Sequence, residues 1–165
     1  MKLIREILNI LSWPVYLCIA AGILIAAPIA AGYRPVVVLS GSMEPTYHVG
    51  SIIYYKEASF EQIEEGDPIT FHAGDGKAMI THRVVEKSEL TRQFVTQGDA
   101  NGGPDPNPVS YDDVAGKTSG LTIPYAGYLV SIGRKPAVIA ILAAVLVLGM
   151  IVDNLAPEKK TDKKE

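Results

Sequence analysis

Two serines separated by one glycine, Ser40-Gly41-Ser42, stand after an apolar run, Val36-Val37-Val38-Leu39, and before Met43-Glu44-Pro45-Thr46. A serine hydroxyl is a poor nucleophile near neutral pH and needs a base whose orientation a third group fixes. The chain offers three histidines for that role, His48, His72 and His82, and one later loop carries Asp99 and Asp105. Serine, histidine and aspartate together are the set that acyl transfer requires. Gly41 can take the positive φ of a tight turn and push Ser42 out of the end of a strand, and Pro45 stops that turn from running on as helix. Ser-Gly-Ser by itself is ordinary turn chemistry, so the longer string carries the signal.

The three histidines differ in setting. His48 lies in a turn-like stretch and His72 at the end of a strand near Asp75-Gly76, and both read as solvent-facing. His82 sits inside the stretch Lys77 to Lys87, where alternation places Ala78, Ile80, His82 and Val84 on one face. An imidazole there is either a core histidine bonded to a neighbour or a working base. Lys77 and Lys87 are on the opposite parity from His82, which speaks against a lysine base. Asp99 and Asp105 fall in the run Gly98 to Pro108, too rich in Gly and Pro for a helix or a central strand. Their spacing alone does not rank them. The histidines lack a metal-binding spacing, and the single cysteine, Cys18, allows no intrachain disulfide and no Cys-based site. No metal and no cofactor is expected, and Cys18 reads as a small buried apolar residue.

The elements around these residues are strands between two apolar runs. No charge occurs between Glu6 and Arg34, a gap of 27 residues, and a helix needs about 20 to cross a bilayer. Trp13, Tyr16 and Tyr33 suit interfacial positions, and Pro14 and Pro28 are tolerated kinks. The length favours a retained anchor over a cleaved leader, whose apolar part is usually about 7–15 residues. Pro136 to Val152 is a second uncharged run of 17 residues, at the short end of the spanning range. We expect four parts: an anchor at 1–33, a β-domain at 34–135, a second transmembrane helix at 136–153 and a Lys-rich tail at 154–165. Lys2 and Arg5 at one end and the tail lysines at the other place both termini in the cytoplasm and the domain outside.

Within the domain, Ser51 to Tyr55, Ile69 to Phe71, Lys77 to Lys87, Gln93 to Gln97 and Val114 to Pro124 read as strands, with Asp75-Gly76 as a hairpin turn. Phe60 and Ile63 pin a short helical turn or loop onto the sheet. Leu121 to Gly133 is uncharged, and reads as sheet core or as an apolar edge resting on lipid. The expected fold is an all-β antiparallel domain flanked by two transmembrane helices. The net charge of −3 and pI near 5.6 leave no basic footprint for nucleic acid.

The string Ser40-Gly41-Ser42-Met43-Glu44-Pro45-Thr46 resembles the serine box of the type I signal peptidases. The glutamate after the methionine is similar to the endoplasmic-reticulum and archaeal branch, the SipW-like enzymes in which histidine replaces a lysine base. Ile80-Thr81-His82-Arg83-Val84-Val85 resembles the second box of that branch, and Thr96-Gln97-Gly98-Asp99-Ala100-Asn101 through Asp105 resembles the third. Gly66 to Phe71 and Ile123-Pro124-Tyr125 fit later boxes, so the resemblance covers most of residues 36 to 135. Gln97, where the family often has lysine, and Gly102-Gly103, where asparagine is common, depart from the pattern.

The resemblance implies Ser42 as nucleophile, His82 as general base, and Asp105 as the group orienting the imidazole, with Asp99 supporting the loop or sharing that role. It implies the Ser42 backbone N–H and the Ser40 hydroxyl as oxyanion donors. The implied substrates are secretory preproteins, cleaved after a small residue with another small one two residues earlier. The translocon or other signal peptidase subunits are candidate partners, beside membrane lipid. Two other readings stay open: a protease dedicated to one substrate, and a catalytically silent membrane-tethered β-domain that binds secretory chains.

Overall fold

In a computed structural model, residues 2–74 and 78–155 are described. The chain divides into two units, one of residues 1–24 with 130–165 and one of residues 25–129.

The second unit is built on one seven-stranded antiparallel sheet. Its strands are β1 (Arg34–Val37), β2 (Ile52–Lys56), β3 (Pro68–Ala73), β4 (Ala78–Ser88), β5 (Gln93–Gln97), β6 (Val109–Ser110) and β7 (Val114–Ile123). They lie in the order β1-β2-β7-β3-β4-β5-β6. Neighbours in the chain, β3 with β4 and β4 with β5, pair as hairpins, whereas β7 returns to fill the place between β2 and β3. Ile52 to Tyr55 are all buried because β2 is covered on both faces.

The main core joins Phe60, Ile63, Ile69, Phe71, Val84, Phe94 and Val109. Phe60 opens a 3-10 turn, Phe60–Gln62, closed by a capping box in which Ser59 N–H donates to Gln62 Oε1 at 2.9 Å. That turn is the short helical element expected from Phe60 and Ile63. A smaller cluster of Met43, Tyr47 and Ile53 lies under the serine-bearing turn.

Several expectations need correction. The first strand is Arg34–Val37, earlier than the run Val36 to Leu39. Gly41 is absent from the glycines with positive φ; the turn forms without it, through Glu44 N–H donating to Gly41 O at 3.0 Å and Tyr47 N–H to Met43 O at 2.9 Å. The alternation along β4 does not hold end to end. His82 and Val84 are buried but Ala78 is exposed, and a bulge between Val84 and Glu86 shifts the register against β5. Lys87 then lies with its Nζ 4.4 Å from the Phe60 ring, so parity counted from His82 does not describe it. The hairpin turn expected at Asp75-Gly76, with Lys77, lies outside the described residues.

A helix was not expected after β7, yet α2 runs Ala126–Gly133. Its start docks through Gly127, whose N–H donates to Gly50 O at 2.9 Å. A Cβ there would sit 2.6 Å from Val37 Cγ1 and 2.7 Å from Gly50 O, so only glycine allows the approach. The helix is short and uncharged, with Ser131 and the Tyr128 hydroxyl as its side-chain polar groups, and it follows Pro124-Tyr125, which hides it from a search for one-sided periodicity.

The other unit is helical. In it lie α3 (Pro136–Leu155) and all but the last two residues of α1 (Lys2–Ala26), whose end and the following 3-10 segment Ala27–Ala31 belong to the sheet unit. Ser12 and Val15 are buried on α1, and Gly149 of α3 comes so close that a Cβ there would be 3.6 Å from Ser12 Oγ. Small residues at such a crossing allow close helix packing. Cys18 is exposed on α1, not buried: among the described residues of that helix only Ser12 and Val15 are buried. Among the described residues, the stretch Asn9–Ala31 is long and apolar enough by itself to cross a membrane; α3 qualifies only if counted with α2 as one broken span. The lysines of the tail from Lys159 onward lie outside the described residues.

Candidate active site

Past β1 the chain stays on the sheet through Val38 N–H donating to Ser51 O and Gly50 N–H to Val38 O, each at 2.9 Å. It then leaves as a turn with Met43 and Tyr47 buried beneath it. Burial pushes the Tyr47 phenol above its ordinary value, partly offset by the Arg83 charge, so it stays neutral. Ser40 and Ser42 are left on top, their hydroxyls 3.3 Å apart.

The turn is also held from the other side. Ala100 N–H donates to Ser42 O at 2.9 Å. Gly98 packs so tightly below that a Cβ on it would lie 2.6 Å from the same carbonyl.

His82 enters from β4 opposite Ile69 of β3. The residue is 8 % exposed, with the Phe71 ring edge-on at 6.4 Å. Its Nδ1 lies 2.6 Å from Asp105 Oδ2. An ionised carboxylate only accepts, so Nδ1 is the donor, and in the neutral ring that tautomer leaves the lone pair on Nε2. Asp105 is itself fixed: Thr96 Oγ1 donates to Oδ2 at 2.6 Å, and the Asp105 N–H donates to Thr96 O at 2.7 Å.

Asp99 is engaged elsewhere. Arg83, the neighbour of His82, donates through Nε to Oδ1 at 2.8 Å and through Nη2 to Oδ2 at 2.6 Å. Thr46 Oγ1 adds a bond to Oδ2 at 2.5 Å, and Arg83 Nη1 reaches Gly66 O at 2.7 Å. The Arg83 bonds first, with Thr46 adding to them, hold the Asp99 carboxyl below the usual carboxylate range. The sequence therefore offered both aspartates, and the fold separates them.

Of the other histidines, His48 is exposed with its Nδ1 2.6 Å from Glu44 Oε2, and His72 is exposed at the end of β3. Sequence reasoning missed Thr96, Arg83 and Thr46 as parts of the site. The signals were a buried threonine on the strand before the loop and an arginine adjoining the candidate base.

Ser40, Ser42 and His82 line one cleft of about 260 Å³, walled by Val36 to Leu39 on one side and Met79 to Thr81 on the other. Among the described residues both walls are strand edges: β1 pairs only with β2, and β4 pairs with β5 only from Arg83 onward. An extended peptide laid between them finds free backbone donors and acceptors. The sheet, the cleft and the apolar helix before them define the class, a serine peptidase tethered at a membrane.

No protein-family model matches the chain. It is 35% identical over 135 residues to signal peptidase I W of Bacillus subtilis (strain 168), covering 75% of this chain and 69% of that protein. Against the signal peptidase complex catalytic subunit SEC11C of Homo sapiens and of Rattus norvegicus, identity is 32% over 128 residues, with 68% of this chain and 66% of theirs covered. The chain thus spans about two thirds of the length of these relatives. It belongs to the type I signal peptidases, serine endopeptidases, in the branch that joins the SipW-like and endoplasmic-reticulum enzymes.

Proposed function

We propose that the chain removes N-terminal signal peptides from secretory preproteins at the outer face of a membrane, with Ser42 as nucleophile, His82 as general base and Asp105 orienting the imidazole. The observation that carries this is the Nδ1–Asp105 bond of 2.6 Å, which leaves Nε2 as acceptor in a residue that shares its cleft with Ser42. Ser42 Oγ attacks the scissile carbonyl and passes its proton to His82 Nε2. The oxyanion is held by the Ser42 N–H and the Ser40 hydroxyl. The C–N bond breaks, Nε2 returns the proton to the leaving amine, and an acyl-Ser42 remains. Water, deprotonated by His82, then hydrolyses that ester and frees Ser42.

The segment before the cleaved bond adds as a strand between β1 and the free edge of β4. Asp99 acts at a distance, tying the serine turn through Thr46 to β4 through Arg83. Both termini lie in the cytoplasm and α3 completes a second crossing. Secretory preproteins in the bilayer are the substrates, and the translocon or further signal peptidase subunits are the partners.

The test is cleavage of a preprotein by the full-length protein in lipid vesicles. Release of the mature chain after a small residue by the wild type, and none by Ser42→Ala, is the expected result. Equal cleavage by both would remove Ser42 from the mechanism.

A further inference from the structure

We propose that a second cleft, beyond His82, receives the first residues of the released mature chain and admits the water that clears the acyl-enzyme. The proposal rests on the peptidase reading above. This cleft has a volume of about 280 Å³, against 260 Å³ for the one beside Ser42. Ile80 and His82 line both, so the two clefts meet at the base. Asp105, which holds the imidazole, and Thr96, which holds Asp105, line only the second.

The chemistry requires such a space. The leaving nitrogen takes its proton from His82, so it must lie against the imidazole while the segment before the bond fills the cleft between the strand edges. The chain attached to that nitrogen then continues beyond the ring. After the C–N bond breaks, the attacking water occupies the place the nitrogen vacated, so the same opening serves both steps.

The lining states what fits. Phe71, Ile80 and Val109 supply apolar surface, while Pro106 and Pro108 stiffen the loop wall. Asp113, exposed after β6, adds a carboxylate besides Asp105. The cleft therefore accepts side chains with an apolar stem, with or without a cationic end, and disfavours acidic ones. An apolar side chain that fits or fails to fit a pocket changes kcat/KM by about tenfold or more.

The experiment uses the full-length protein in lipid vesicles and preproteins that differ only in the first two residues after the cleaved bond, as Ala, Leu, Lys or Glu. The wild type is expected to favour Leu and Lys over Glu. Ala73→Phe, which narrows the cleft, should lower kcat/KM for Leu about tenfold relative to Ala. Asp113→Lys, at an exposed position, should shift the Lys-to-Glu ratio toward Glu by a similar factor. Neither should alter the need for small residues before the bond. Cleavage by both variants with wild-type ratios among the four substrates would overturn the cleft assignment and leave the peptidase reading intact. Absence of cleavage by the wild type, or equal cleavage by Ser42→Ala, would instead overturn that reading and this proposal with it.

Discussion

Arg83 grips Asp99 with two nitrogens, Nε at 2.8 Å from Oδ1 and Nη2 at 2.6 Å from Oδ2. The fork is planar and bidentate, a geometry that lysine cannot copy. Since Asp99 also binds Thr46, one carboxylate joins the serine turn to the strand that bears His82. Arg83→Lys should therefore lower kcat by about 10²-fold while leaving the sheet folded, since a misplacement near 1 Å costs about that much. Steady-state kinetics beside circular dichroism checks this.

The same pair sets a pH dependence of stability. Arg83 holds the Asp99 pKa below its ordinary value, and a carboxylate in an unfolded chain titrates near about 3.9. A depressed folded pKa means that the stabilisation is complete above the unfolded value and is lost as pH falls through the folded one. Thermal unfolding in detergent should show Tm dropping below about pH 4. Asp99→Asn should be less stable above that pH and should show a smaller drop on acidification.

Asp105 should behave differently from Asp99. Asp105→Asn keeps the shape but offers His82 Nδ1 a wrong partner, and a loss in kcat of roughly 10³–10⁴-fold is expected with modest change in Tm. Thr96→Val, which removes one donor to Asp105, should cost less, about tenfold, in the same assay. Comparable losses in kcat for Asp105→Asn and Asp99→Asn would refute the division of labour between the aspartates.

The oxyanion assignment is tested at Ser40. Its hydroxyl is 3.3 Å from that of Ser42, and Ser40→Ala should lower kcat by about 10²-fold with KM little changed. Single-turnover acylation of the full-length protein would locate the loss in the chemical step.

Gly98 is a steric prediction. A Cβ there would meet Ser42 O at 2.6 Å and Asn101 Nδ2 at 2.8 Å. Because the first of these is backbone, relief requires moving the serine turn. Gly98→Ala should thus reduce kcat by about 10²-fold, whereas Gly102→Ala, with nothing within 4 Å, should retain activity.

Much of the fold could be read along the chain, because its signals are local. The charge-free run after Glu6, the β-formers of Ile52 to Tyr55 and the apolar pair Phe60 and Ile63 each declare themselves within a few residues. So do Ser42 and His82, since the strings around them are contiguous. By contrast, α2 escaped notice: Ala126 to Gly133 is eight residues long and carries no charge, and its position depends on Gly50, far away in sequence, accepting the Gly127 N–H.

What the sequence determined by itself was the chemistry available: a serine in a turn, a strand histidine, two aspartates in a stiff loop and one long apolar run. The tertiary structure decided which aspartate meets the histidine. Asp99 and Asp105 have the same side chain and share one coil, so no local preference distinguishes them. The β4–β5 register, Arg83 opposite Gln97 and Val84 opposite Thr96, starts the loop beside Arg83, where Asp99 is captured. The Asp105 N–H then closes on Thr96 O and brings its carboxylate to His82. That outcome depends on long-range strand pairing, which exists only once the sheet has formed.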